Sequence, residues 1–439
     1  MRHRLYFGHN FRSTPIPTSD TKTASTPSGA FSVFEEPQFR WLFFGNAAFT
    51  FAMQGQMLTR TILAWNLSGE ATALAYINIA FAVPMLFASM LGGAITDRVE
   101  RRQLIITGQC LIIANEVFIL TLLLLGQLQF WHMLCTAFVA GCAFPFIMPA
   151  RMAVTASVVG PKRMQSALAF SSSVMNLSRV AGPAMMGLVI AQFTVTGAYF
   201  ISVTLYSGAT LCMLGVNRSR SAAVDGPKIP LLADIIYGFK YMGSNRTLLM
   251  CLLFGLLPMF VAMPFQSIMV MLAEQAWQVD ERDVGTLMAI GGVGGVLGSL
   301  WIVHRGDAAH RLHLMLYTTM SFGIFLAIFT QTSNFYLAML PLLVANICAS
   351  AAQTVNNAAI QLLVHDNVRG RMSSFMMMSF GLTPIGVYPM AIAADQFGAS
   401  NAITGACMVL VVGVAGFYLL SSTLRNLDHT VTEAMAKAR

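Results

Sequence analysis

Apolar runs of about 20 residues, separated by short segments carrying charge, Pro or Gly, follow one another along nearly the whole chain. A helix of that length crosses a hydrocarbon core of about 30 Å, and a helix that is apolar all round has no face suited to water. The run boundaries predict a first set of spans near residues 41–66, 72–95, 103–126, 130–149, 166–192 and 196–215. A second set falls near 247–272, 285–304, 312–331, 334–354, 372–393 and 401–422, giving twelve in all. Residues 216–246, the longest internal polar stretch, lie between the sets. Within them Ile229, Leu231, Leu232, Ile235, Ile236 and Phe239 recur at roughly helical spacing, which predicts a short amphipathic helix on the membrane surface. The expected organisation is a tail over 1–37, a six-helix bundle over 38–215, a linker over 216–246, a second bundle over 247–422 and a tail over 423–439.

Composition supports the same class. Of 439 residues, 56% are hydrophobic and only 10% charged, against roughly 25% charged in soluble domains. The mean hydropathy is +0.66. One compact core stops growing beyond about 250 to 300 residues, so lipid has to cover the remaining apolar surface. The fold class expected is therefore an all-α membrane protein. Cys110, Cys135, Cys142, Cys212, Cys251, Cys348 and Cys407 lie in or beside apolar runs without metal-type spacing, and read as small buried apolar residues without disulfides. Residues 1–33 are polar and basic with no apolar h-region, which excludes a secretory signal. A solvated tail and a transit peptide both fit them.

The basic balance, 26 Lys and Arg against 18 Asp and Glu, is informative through its placement. With both termini inside, the inner segments hold 23 of the 26, including three at 151–163; Arg282 falls in an outer loop, and Arg60 and Arg179 within spans. That is the positive-inside pattern of a multi-pass membrane protein with both termini inside. Nucleic acid is excluded as a partner, because the cations are spread over seven short segments and form no single stripe.

The two sets echo each other. PARMAVTASVVGPKRMQSA (149–167) aligns with NNAAIQLLVHDNVRGRMSS (356–374), setting Arg163 against Arg371, 208 residues on. GGAITDRVERR (92–102) meets a degraded LGSLWIVHRGD (297–307), 205 residues on. A parallel repeat of six helices implies a pseudo-twofold axis along the membrane normal, with a binding site between the halves at the midplane.

Gly93, Asp97, Arg98, Arg101 and Arg102 form G-x-x-x-D-R-x-x-R-R at the inner end of the second span. With this spacing the chain resembles the major facilitator superfamily, whose signature usually has Gly where Glu100 stands. The resemblance implies that this loop latches the two halves in the outward-facing state; a plain solvated loop would explain the arginines alone. In the fifth span Gly182, Pro183 and Gly187 form G-P-x-x-x-G, similar to the superfamily's exporter motif without its upstream glycines. Pro183 bends the helix and the glycines admit close neighbours, so an ordinary kinked packing helix is the competing reading. FRWLFFGNAAF, the 149–170 segment, NLSRVAGPAMMG and VRGRMSSFMMMSFGLTPIG further resemble the branch containing the enterobactin exporter and related secretion effectors, which implies a bacterial-type cytoplasmic (inner) membrane with cytoplasmic termini; the basic tail leaves an organelle as the alternative.

Charge inside the membrane costs about 2.5 to 3.5 kcal/mol per residue on insertion scales, so each instance points to a function. Arg60 has Gln56 one turn earlier and Gln54 close by; Glu116 is the one acid clearly buried mid-span; Arg179 has Asn176 one turn before it. The expectation is that these groups face the central cavity, with Glu116 carrying a proton and Arg60 or Arg179 binding anionic substrate groups. A structural Glu116–Arg179 pair is the alternative. In the second half the candidates are neutral: Gln266 and Gln353 for hydrogen bonds to substrate, and Asn356 and Asn357, which also suit a capping role. Coupling is thus expected in the first half. The apolar cavity wall would draw on some of the 30 Met and 31 Phe, including Met376–Met378.

His304, His310 and His313 read as a solvated loop, with no carboxylate or thiolate to complete a metal site. No cofactor is expected, and no nucleotide-binding G-x-x-x-x-G-K-[ST] loop occurs. The function expected is a monomeric secondary transporter exporting a small amphiphilic or anionic molecule, such as a siderophore, drug or metabolite, by alternating access against proton entry. An importer or uniporter is the rival within transport. A membrane enzyme or receptor is the rival outside it, disfavoured by the lack of converging acid, base and nucleophile at depth.

Overall fold

The structure, a computed structural model, describes residues 30–96, 99–217, 243, 246–305, 311–364, 382–421 and 428. Among these there is no strand. A 3-10 turn, Ala30–Glu35, leads into α1 (Pro37–Ser68), which opens with Pro at its first position and closes on Gly69 in the left-handed region, φ 67°. α2 (Ala71–Thr96) and α3 (Arg101–Leu124) follow.

The next stretch departs from expectation. Instead of ending near 149 and reopening near 166, the chain is helical over Phe130–Leu214, broken at Gly160 (φ 70°, ψ 172°) and at Phe193 and Thr194. Residues 151–159 contain neither Gly nor Pro, so nothing stops the helix until Gly160 and Pro161. The breaks define α4 (130–159), α5 (161–192) and α6 (195–214). Directions follow from packing. Thr50 and Gly55 of α1 meet Ser178 and Met186 of α5, so these two helices run parallel. Gly45 and Gln56 meet Cys212 and Ser202 of α6, so α6 runs antiparallel to both.

In the second half, the expected 247–272 span is discontinuous: α7 (Arg246–Val261), a 3-10 segment Met263–Ile268 and α8 (Met269–Trp277). Pro264, next to the break, has no N–H to continue the helical ladder. α9 (Glu281–Arg305), α10 (Arg311–Gln331), α11 (Phe335–Leu363), α12 (Pro384–Phe397) and α13 (Ala399–Leu420) complete the order. Among the described residues nine helices are long and apolar enough to cross a membrane, one of them the 49-residue Ser166–Leu214, which the 193–194 break divides. The protein is an all-α, multi-pass membrane protein. The amphipathic linker helix, Asp97, Arg98 and the Met376–Met378 run fall outside the described residues.

One end of the bundle carries the α1–α2, α3–α4, α5–α6, α8–α9, α10–α11 and α12–α13 connections and is called distal, the opposite one proximal. Hydrogen bonds and ring contacts between described residues of the two halves lie at the distal end. Trp65 Nε1 donates to Glu274 Oε2, Asp395 accepts from the N–H groups of Ala71 (2.7 Å) and Thr72 (2.9 Å), and the Tyr76 and Tyr388 rings are 6.0 Å apart. A second seam joins α5 to α9. A β-carbon at Gly285 would lie 2.9 Å from the Pro183 oxygen, and one at Gly292 3.0 Å from the Arg179 oxygen, so only glycine lets these helices approach so closely.

Candidate functional site

The first half encloses a polar network. α3 presents Leu111, Val117 and Phe118 to the exterior and turns Glu116, which is fully buried, toward α1. There Arg60 pairs with Glu116 Oε1 at 2.5 Å, and Gln56 Nε2 donates to Oε2. Ser202 of α6 donates to Gln56 Oε1 at 2.9 Å, which fixes the amide with its NH2 toward the carboxylate. A carboxylate alone in this environment would face a desolvation penalty of several kcal/mol; the guanidinium and amide offset it. The Arg60 side chain remains 20% exposed and Glu116 only 1%. Glu116 therefore sits behind α1, inside the first half, and the expectation that it faces the central cavity is corrected. Its partner is Arg60, not Arg179: Arg60 and Gln56 stand one turn apart on the α1 face that meets α3.

Arg179 is exposed at mid-depth. Around α5, Ser178, Gly182 and Met186 meet α1, whereas Val180, Pro183 and Gly187 meet α9. Leu177 and Leu188, both exposed, mark the outward face. At 100° per residue Arg179 falls between the α1 and α9 faces, opposite those leucines, and so toward the space between α1 and α9. Asn176 is half-buried nearby, and Gln54, also half-buried, has its Cβ 3.0 Å from where a β-carbon would lie on Gly182. The G-P-x-x-x-G element thus packs on two helices at once: Gly182 against α1, Pro183 and Gly187 against α9.

Gln266 lies half-buried in the 3-10 interruption between α7 and α8. Gln353 is exposed on α11, on the arc between residues facing α9 (Asn346, Ile347, Ser350) and Asn356, which packs on Gly255 of α7. The structure thus brings Arg60, Glu116 and Gln56 together. It sets Arg179, Asn176 and Gln54 around the α5 seam and leaves Gln266 and Gln353 separate. Within the latch motif, Gly93 belongs to the last turn of α2. Arg102 donates to the Met213 and Leu214 carbonyls, capping α6 within its own half. Arg101 begins α3.

Several residues escaped the sequence reading. Arg151, counted with the inner loops, is buried, with its guanidinium 4.2 Å from the Phe49 ring centre and NH1 donating to Asn46. Ser202 carried no signal beyond its place in a span. Trp65, Glu274 and Asp395 lie where spans meet polar connections, which marks such residues as surface and hides their partners across the halves. Among the described residues no three His, Cys, Asp or Glu side chains gather as for a metal.

Residues 28–438 match the transmembrane secretion effector family. The chain belongs to that family. Its members are transporters of the major facilitator type, not enzymes, and this chain is 22% identical over 360 residues to the staphyloferrin A transporter of Staphylococcus aureus, covering 81% of the chain and 89% of that protein. It is 23% identical over 373 residues to macrolide efflux protein A of Streptococcus pyogenes, covering 82% and 90%. It is 24% identical over 379 residues to the multidrug efflux pump Tap of Mycolicibacterium fortuitum, covering 82% and 90%. The fold matches the POT family transporter PepTSo (TM-score 0.67, 13% identity, 90% of this chain and 99% of that one). It also matches a bacterial homologue of the lysosomal transporter Spinster (TM-score 0.65, 12% identity, 91% and 98%). The secretion effector fold expected from the sequence is thereby established.

Proposed function

We propose that this secretion effector family member is a proton-coupled exporter of a small amphiphilic or anionic molecule, working by alternating access in a cytoplasmic membrane. The observation that carries the reading is the buried Arg60–Glu116–Gln56 network, which ties α1 to α3. α1 also packs on the exporter-type bend of α5 and reaches the second half through Trp65 and Glu274. One helix is thus shared by the titratable group, the seam beside the cleft and the distal closure. Protonating Glu116 removes the ion pair that holds α1 on α3, and this local change of charge biases how α1 sits against its other neighbours. The curated relatives named as efflux proteins support export.

With the Lys- and Arg-rich segments inside, the distal end faces outward. On that orientation the Trp65–Glu274 and Asp395–α2 contacts support reading this conformation as closed on the outside. No residue is asked to do covalent chemistry. The proton on a Glu116 oxygen and the substrate in the cleft are the two cargoes.

The test uses everted vesicles carrying a preformed proton gradient, to which siderophores and amphiphilic drugs are added. Wild type is expected to dissipate the gradient in response to its substrate, and Glu116→Gln to lose that response. A Glu116→Gln protein that dissipates it with unchanged pH dependence overturns Glu116 as carrier. Accumulation in the opposite direction would favour an importer.

A further inference from the structure

The charges along the pathway do not cancel. Arg60 is neutralised by Glu116. Arg179 forms no salt bridge with any described carboxylate, although it is exposed at mid-depth, where lipid contact with a cation is costly. Its position between the α1-facing and α9-facing residues of α5 turns it away from the exposed Leu177 and Leu188 and toward the space between α1 and α9.

Opposite it, α9 repeats the pattern. Gly285 and Gly292 meet α5; Gly291, Gly294 and Gly298 meet α11; Val293, Leu297 and Leu300 are exposed on the outward side. Gly295 falls between the α5 and α11 faces, away from those three. No heavy atom lies within 4 Å of where its β-carbon would be. Gly292 is the last glycine contact with α5 before Gly295, and the α5 residues it touches are Arg179 and Val180. Arg179 thus stands on α5 beside the Gly292 contact, and Gly295, with open space at its β-carbon, follows three residues on along α9; each lies on the arc between its helix's two packed faces.

We infer that Arg179 and the open face at Gly295 form an anion subsite, and that the exported molecule carries a carboxylate or a comparable oxyanion bound there. This deepens the export reading and rests on it for the word substrate, but the binding itself does not depend on proton coupling. Arg suits the role because its planar fork engages both oxygens of a carboxylate. The α9 glycine leaves room for the group attached to it. A lipophilic cation gains nothing at this site.

The test is equilibrium binding to the purified full-length protein, with citrate, salicylate and dodecanoate as carboxylate probes and tetraphenylphosphonium as the cationic one. Wild type is expected to bind at least one carboxylate more tightly than the cation. Arg179→Gln should weaken that binding at least about tenfold, the loss expected for a charge-assisted hydrogen bond, while Arg179→Lys retains most of it. Gly295→Leu, which fills the space and leaves the arginine, should also weaken it. Because this binding is measured at equilibrium with no proton gradient, failure of proton coupling and failure of the anion subsite are read separately. Preference for the cation, absence of carboxylate binding to wild type, or unchanged binding in folded Arg179→Gln or Gly295→Leu overturns the inference.

Discussion

The two halves solve the same packing problem with different chemistry. In the first, α1, α3 and α6 are joined by Arg60, Glu116, Gln56 and Ser202, an ionised network fully enclosed on its acidic side. Among the described residues of the second, α9 and α11 are joined by backbone approach at Gly294 and Gly298, by Asn346, and by the Ser299–Ser350 hydroxyl pair at 2.8 Å. A neutral seam holds one geometry at every pH. An ionised seam changes its interactions when one proton arrives, so under the proposed proton coupling switching belongs to the first half and support to the second.

Breaking the ionised seam should have the largest effect. Glu116→Gln leaves Arg60 without its counter-charge, a change that costs about 3–5 kcal/mol when a buried pair loses one member; partial exposure of Arg60 sets the expected loss toward the lower figure. Thermal unfolding should fall accordingly, and the Arg60→Met/Glu116→Met double variant should recover most of it without recovering coupling. A double variant as unstable as the single one would mean that the network acts by something other than charge compensation.

The neutral seam is sharpened by Gly298→Val. Its side chain would press on the Ile347 backbone, and overpacking of this kind costs about 1–3 kcal/mol. Stability and transport rate should both decline while the pH profile of transport keeps its shape; a displaced profile would place coupling in the second half as well.

Asp395→Ala comes next. It removes the carboxylate that accepts from the first two N–H groups of α2 across the halves, a cap worth about 1 kcal/mol. A cysteine placed at Ser68 should become more reactive to a membrane-impermeant thiol reagent as the distal end opens. Unchanged labelling would show that the cap does not hold the closure.

Ser202→Ala should have the smallest effect, about 0.5–1.5 kcal/mol for one lost hydrogen bond, since Gln56 keeps Glu116 as a partner. A loss as large as that of Glu116→Gln would give Ser202 more than an orienting role.

What the sequence disclosed follows from which physical signals are local. Apolar runs announce helices because lipid demands them everywhere along a span, and the Arg60–Gln56 stripe is visible because one helical turn separates them. The partner of Glu116 was not legible, because the rotation of α3 is set by the lipid-facing Leu111, Val117 and Phe118 against α1 and α6, residues far apart in the chain. Arg151 was misread because a cation near a predicted span end looks like a loop residue until the helix is seen to continue to Gly160. Pro264 was visible, but whether a proline kinks or interrupts a helix depends on the neighbours that take up the freed carbonyls. The distal contacts of Trp65 and Asp395 pair surfaces of different halves, about which neither local pattern carries information.

The central claim, that the Arg60–Glu116 network couples transport to protons, is tested most directly in proteoliposomes by comparing counterflow exchange with gradient-driven accumulation of one substrate. The account predicts that Glu116→Gln retains exchange, which needs no net proton movement, and loses accumulation. Accumulation driven by the gradient at the wild-type rate in Glu116→Gln would contradict it.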